Sequence, residues 1–304
     1  MLISNPLHNP LFGPSLLVVL GLLGGALLLL VVGTRGNLAR LGGSVLFRHW
    51  QVWTVIALLY GGALLGGALP TLALLSGLVV GGLWEYARLV GLPRSYRRVL
   101  LGTGVLAGPA ALFAPGVFQA LPPLLLLAGT LQPLLRREGG VRHFAFAVLG
   151  WGYIAWFLAH LMLLYRYVDG GPGILLVLGL ATGLSDIAAF LVGRRFGKHP
   201  LAPAISPHKT WEGVAGNVLG AYLGVGLLAV ALPAPTRPLL LALLPLVIAA
   251  GAVWGDLLES RIKREFGVKD AGAWLPGFGG LLDRVDSFLI VIPLVFYFLR
   301  LVGL

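Results

Sequence analysis

Apolar blocks of roughly twenty residues recur along this 304-residue chain, at about 11–32, 51–69, 71–91, 98–114, 117–135, 143–165, 173–193, 213–232, 238–258 and 286–303. An α-helix rises about 1.5 Å per residue and a bilayer's hydrocarbon core is about 30 Å thick, so blocks of that length match a membrane crossing. Charged residues make up 11% of the chain, against about 25% in a water-exposed domain, so the polar coat of a soluble fold is missing. The expected fold is all-α, a polytopic integral membrane protein with about ten transmembrane helices. Pro109, Pro115, Pro122 and Pro123 interrupt the fourth and fifth blocks, which are therefore expected as two spans or as one kinked or re-entrant unit.

The net charge of +11 would suggest nucleic acid in a soluble protein, but the placement of the charges gives another reading. Of 22 Lys and Arg, 19 fall in or beside the odd-numbered connections between blocks, and 3 in or beside the even-numbered ones and the C-terminus. Positive residues collect on the cytoplasmic side. The odd connections are therefore expected in the cytoplasm and both termini outside, in a multi-pass protein of the cell inner membrane if the source is bacterial. No nucleic-acid partner is expected. Residues 1–10 carry no Lys or Arg, so the first block reads as a retained span rather than a cleaved signal peptide. Cys is absent, which excludes disulfides, thiolate catalysis and iron–sulfur sites. Gly21/Gly25 and Gly62/Gly66 are small-xxx-small pairs, read as helix-packing positions that also leave room for a homodimer.

Seven of the 11 acidic residues lie from Glu212 to Asp286. A carboxylate near the middle of a membrane helix costs about 2.5–3.5 kcal/mol on insertion scales, so a cluster marks a site. Asp186 shares a helix face with Thr182 and Ser185, Asp256 with Glu259, Ser260 and Lys263, and Asp283 with Asp286 and Ser287. By the charge rule all three stripes lie on one side of the membrane and can converge on a chamber open to the cytosol. Two polar loops, 193–213 and 259–285, interleave these acids with Lys, Arg and Gly. Hard carboxylate oxygens suit Mg²⁺, while cations and exposed glycine amides suit phosphate oxygens. The combination points to phosphoryl transfer, in which a protein mainly positions reactants and neutralises charge. Gly193-x-x-x-Gly197-Lys198 is not a P-loop, being one residue short and followed by His199 where Ser or Thr belongs. His160 reads as a hydrogen-bonded core residue.

The run Ser260-x-x-Lys263-Arg264-x4-Lys269-Asp270-x5-Pro276-Gly277-Phe278-Gly279-Gly280-x2-Asp283-Arg284-x-Asp286 resembles the C-terminal signature of the phosphatidate cytidylyltransferase, or CDP-diacylglycerol synthase, family. That signature reads S-x-x-K-R-x4-K-D-x5-P-G-H-G-G-x2-D-R-x-D. Upstream, Asp186, Gly193-Arg194, Phe196-Gly197-Lys198, Ile205-Ser206-Pro207, Lys209-Thr210-x-Glu212-Gly213, Gly255-Asp256-Leu257 and Glu259 agree as well. The likeness covers roughly residues 180–290. It implies the reaction of CTP with phosphatidate to give CDP-diacylglycerol and pyrophosphate, with one or two Mg²⁺ ions, in a lipid bilayer.

Carried over position by position, the resemblance implies Asp256 and Asp283 as metal carboxylates, with Asp286 and Asp270 as nearby ligands or their supports. It implies Arg194, Lys209, Lys263, Arg264, Lys269 and Arg284 as phosphate clamps. Ser206, Thr210, Glu212 and Ser260 would shape the substrate loops, and Asp186 would support them. Phe278 stands where the family signature has histidine, and a phenyl ring neither donates nor accepts a proton. Residues 171–304 are expected as the catalytic region and 1–170 as transmembrane helices of unassigned role. The rival readings are a transferase for another lipid phosphate, a degenerate paralogue, and a transporter, whose site would sit near the bilayer midplane on broken helices.

Overall fold

Each apolar block folds as helix. The computed structural model describes residues 2–135, 140–268, 272 and 279–304, with the backbone alone at 38–39 and 131–135. In chain order the helices are α1 (Phe12–Gly33), α2 (Leu38–Gly43), α3 (Val45–Gly66), α4 (Ala68–Leu89), α5 (Arg94–Phe113), α6 (Pro115–Leu135), α7 (Gly140–Gly150), α8 (Phe157–Tyr167), α9 (Gly171–Phe196), α10 (Trp211–Leu227), α11 (Arg237–Glu265) and α12 (Leu282–Leu301). A π-helical turn, Trp151–Trp156, makes α7 and α8 one continuous helix. Between α9 and α10, strands β1 (Pro200–Ala202) and β2 (Ser206–Thr210) pair antiparallel as a small hairpin.

Among the described residues, five helices are long and apolar enough to cross a membrane: α1, α4, the continuous 140–167 helix, α9 and α11. Helix α10 falls short at 17 residues, and α12 carries Asp283, Arg284 and Asp286 in its first turns. No residue in the most apolar stretch of α1 is buried, although that stretch is the most hydrophobic of the five. So much exposed Leu and Val on helices of this length needs lipid as its solvent, and the chain is an integral membrane protein. The fourth and fifth blocks are two separate helices: Ala114 alone leaves the helical conformation between them, and Pro115 opens α6 at a position that needs no N–H.

Glycine packing differs from the expectation. A methyl group added at Gly21, Gly25 or Gly62 would meet nothing within 4 Å, and one at Gly66 would meet mainly the Pro70 ring. Gly21, Gly25 and Gly62 lie on outward helix faces, whereas Gly66 is buried at the end of α3. The close helix approaches come instead from Gly216, Gly220 and Gly224 of α10, each against α9 backbone, and from Gly251 and Gly255 of α11, against α12. At Gly255 a Cβ would collide with the Asp286 carbonyl oxygen. These contacts seat the acid-bearing helices directly on one another.

His160 is a core residue, as its setting predicted. It is fully buried, its Nδ1 is 2.8 Å from the Trp156 carbonyl, its Nε2 is 3.2 Å from the Tyr297 hydroxyl, and Phe118, Trp156 and Phe296 surround its ring.

Candidate functional site

The charged ends of α9, α10, α11 and α12 meet at one end of the bundle. Helix α9 brings Asp186 in its C-terminal half, the hairpin brings Lys209 at the entry to α10, and α11 and α12 face each other with Asp256, Glu259, Lys263, Asp283 and Asp286. Lys209 Nζ stands 2.6 Å from Asp256 Oδ2. Ser260, one turn along, reaches Asp256 Oδ1 at 3.5 Å. The Ser287 hydroxyl donates to Asp186 across the α9–α12 boundary at 3.2 Å, and the Ser287 amide donates to Asp286 Oδ1 at 2.7 Å. Asp186, Asp256 and Asp286 lie within electrostatic reach of one another.

A second ion cluster sits two helical turns further along α11. Lys263 Nζ lies 2.7 Å from Glu259 Oε2 and 2.7 Å from Asp283 Oδ1, while the Gly280 amide donates to Asp283 Oδ2 at 2.7 Å. Glu259 is 1% exposed, and the Lys263 ammonium is the partner of its buried carboxyl. Asp256 and Asp283, expected to share metal, are thus each held by a different lysine.

The hairpin has its own clamp. Glu212, in the first turn of α10, accepts from the Lys198 and His199 amides at 3.1 and 3.3 Å and contacts His199 Nδ1 at 2.6 Å. These partners, the His199 ring foremost, hold the Glu212 carboxyl down at about 2. Thr210 Oγ1 accepts from the Gly213 amide, an N-cap that starts α10. Ser206 pairs with Ala202 in the hairpin, and Arg264 reaches from α11 to the Ile205 carbonyl at the hairpin tip. Arg194 is exposed and lies over the Phe190 ring one turn back on its own helix. Arg284 sits half-buried in the first turn of α12. Lys269, Asp270 and Phe278 lie outside the described residues.

Two residues join this site that sequence patterns did not single out. Glu85 of α4, 2% exposed, accepts from the Leu281 and Leu282 amides at 2.9 and 2.8 Å. Its signal was available, since a lone acid inside an apolar span is costly. Tyr153, on the π-helical turn, is buried with its hydroxyl unpartnered among the described residues, within electrostatic reach of Glu259, Asp286 and Asp256. An aromatic residue inside an apolar block carries no such signal.

A divalent cation is suited to this donor set. As placed, no three His, Cys, Asp or Glu side chains among the described residues converge closely enough to hold a metal ion. The fit is one of chemistry: Asp186, Asp256 and Asp286 are hard oxygen donors brought together at a helix junction, with the orphaned Tyr153 hydroxyl facing the same charges.

A sequence profile of the cytidylyltransferase family matches residues 47–302. The uncharacterized protein YnbB of Escherichia coli (strain K12) is 34% identical over 276 residues, covering 86% of this chain and 89% of that protein. The phosphatidate cytidylyltransferase of Mycobacterium leprae is 45% identical over 123 residues, or 40% of this chain and 39% of its own. That of Staphylococcus epidermidis is 42% identical over 134 residues, or 44% of this chain and 52% of its own. The chain therefore matches about half or less of the length of these two enzymes. With the profile spanning most of the sequence and a relative aligned along nearly its whole length, the chain belongs to the cytidylyltransferase family and is a nucleotidyltransferase.

Proposed function

We propose that this chain transfers the cytidylyl group of CTP to the phosphate of phosphatidate, giving CDP-diacylglycerol and pyrophosphate. The observation that carries the reading is the junction of α9, α10, α11 and α12, where four aspartates and two lysines gather at one end of otherwise apolar helices. Such a junction lets a phosphate anchored in lipid meet a triphosphate arriving from water. The names of the Mycobacterium and Staphylococcus relatives support the same substrate pair.

In the reaction a phosphate oxygen of the lipid attacks the α-phosphorus of CTP. The new P–O bond forms as the bond to the β-phosphate's bridging oxygen breaks, and pyrophosphate leaves with that electron pair. The attacking oxygen is already anionic, so no strong base is needed and the barrier is dominated by charge. Two unit charges 4 Å apart repel by about 4 kcal/mol at an effective dielectric near 20, and several such pairs form here. Lys209 and Lys263 would offset that repulsion once substrate oxygens compete for them with Asp256 and Asp283, the partners they hold here. Asp256, with Asp186 and Asp286 beside it and Asp283 from the signature, would hold Mg²⁺. When bound, the ion neutralises phosphate charge and orients the α-phosphoryl group.

We read ten crossings, with both termini outside and the junction at the cytoplasmic face. The 19 to 3 division of Lys and Arg between alternate connections supports this orientation.

The deciding experiment supplies the purified protein with CTP, Mg²⁺ and phosphatidate and identifies the lipid product by mass. A product heavier by the cytidylyl group is expected. A second reading, transfer to a different lipid phosphate, is favoured by Phe278 in the signature and by the long match to YnbB. A panel of lipid phosphates separates the two.

A further inference from the structure

Helix α12 starts without a cap of its own. Leu281 stands at its N-cap position and makes no side-chain hydrogen bond there, so the first amides of the helix need acceptors from elsewhere. Glu85 supplies them from a different part of the chain, 196 and 197 residues away in sequence. One carboxylate oxygen takes the Leu281 amide and the other takes the Leu282 amide.

The chain wraps this carboxylate closely. A Cβ at Gly272 would come 2.5 Å from Glu85 Oε1, and one at Gly280 would come 2.6 Å from Oε2. Gly280 must therefore lack a side chain to reach Glu85, and the same Gly280 donates its amide to Asp283 Oδ2 at 2.7 Å. Gly279 turns the chain here at φ +81°, a conformation glycine adopts readily. Asp283 in turn receives the Lys263 ammonium. A continuous path thus runs from Glu85 through the Gly280–Leu282 backbone to Asp283 and Lys263.

We propose that Glu85 is a positioning residue for the nucleotidyl-transfer site, fixing the start of α12 so that Asp283 and Lys263 face the junction. This rests on the reading of that junction as the reaction centre. It also gives the N-terminal half of the chain a part in the chemistry: α4 carries the anchor on which the glycine-rich signature is hung.

The test uses the full-length protein in detergent and in liposomes, with Glu85→Gln and Glu85→Ala. Glutamine has nearly the same shape but keeps only one carbonyl acceptor, and its amide group opposes the second backbone N–H. Turnover per folded molecule is expected to fall about tenfold or more in Glu85→Gln and further in Glu85→Ala. Hydrogen–deuterium exchange in peptides covering 279–287 is expected to speed up at least tenfold in both, with peptides from α1 and α3 unchanged. A role in packing alone predicts wild-type turnover and exchange for the isosteric Gln, and that result would overturn the proposal even if the Ala variant does not fold. If the wild-type protein transfers nothing from CTP to any lipid phosphate, the reaction-centre reading fails. The exchange measurement then still decides whether Glu85 holds the α12 entrance.

Discussion

Lys263 Nζ lies 2.7 Å from Asp283 Oδ1 and equally close to Glu259 Oε2, so a single ammonium ties the last turns of α11 to the first turn of α12. Glu259 is almost wholly buried, and removing one partner of a buried pair costs about 3–5 kcal/mol because the other charge is left uncompensated. Lys263→Met is therefore expected to lower the thermal midpoint sharply in a fixed detergent. Combining it with Glu259→Gln should recover most of that loss, while CTP-dependent transfer stays absent. Wild-type stability of the single variant would show that the ammonium does not carry this interface.

Asp256 behaves differently because its side chain is 42% exposed. The pair is open to solvent on the Asp256 side and screened there, and the isosteric Asn keeps an oxygen that can accept from the buried Lys209 Nζ. Asp256→Asn should thus leave the thermal midpoint nearly unchanged while CTP-dependent pyrophosphate release drops by about a hundredfold or more, the scale expected for losing a main charge-stabilising group. Asp283→Asn should lose transfer to a similar degree with expression and insertion retained. Near-wild-type turnover in either variant would remove that aspartate from the reacting centre.

Gly255 has no room for a side chain, since a Cβ would strike the carbonyl oxygen of Asp286. Gly255→Ala must separate α11 from α12, and overpacking of this kind costs about 1–3 kcal/mol. The displacement also moves Asp256 relative to Asp286, so turnover per folded molecule should fall as well as the thermal midpoint. Gly62→Ala, facing open space, serves as the control and should match wild type in both.

How much of this was legible beforehand follows from the range of each interaction. The helices came from block length, although α3 starts six residues before its block and α11 runs seven beyond, and the stripes at Asp186, Asp256 and Asp283 came from the 3.6-residue period, both local properties of the chain. Lys209 and Asp256 belong to separate segments, yet their pairing agrees with both lying in the signature-bearing region. Glu85 and Tyr153 were not legible as partners of that region, because their placement depends on how α4 and the π-helical turn pack against it. The glycine pairs were legible only as faces: spacing shows that two glycines share a face but not what the face touches, and at Gly21/Gly25 an added Cβ would touch nothing among the described residues.

Phe278 sits between the Pro276-Gly277 and Gly279-Gly280 pairs of the signature, where the family carries histidine. If the position serves only to shape backbone, Phe278→His should preserve or raise transfer to phosphatidate, because it restores a ring of similar size with hydrogen-bonding capacity. Initial rates with phosphatidate measure this directly. A clear loss would mean that the pocket is built around the phenyl ring, which favours a different lipid phosphate as the natural acceptor.

Glu212 sets an acid limit on the hairpin. Its carboxyl, ordinarily near 4.5, is held at about 2 by the His199 ring and by the Lys198 and His199 amides. A carboxyl depressed in the folded state contributes fully above its unfolded value, and the contribution is lost as pH falls through the folded one. The window here runs from 4.5 down to about 2. Across it the clamp between Glu212 and the residues leading into β1 should open while the buried helices stay packed, because the group lies at the start of α10 and its partners lie in the connection. Glu212→Gln is uncharged at every pH and should show at pH 7 the protease sensitivity around residues 197–210 that the wild type acquires only toward pH 2. Equal resistance of the two proteins at pH 7 would mean that the β1–β2 pairing and the Thr210 cap hold the hairpin without Glu212.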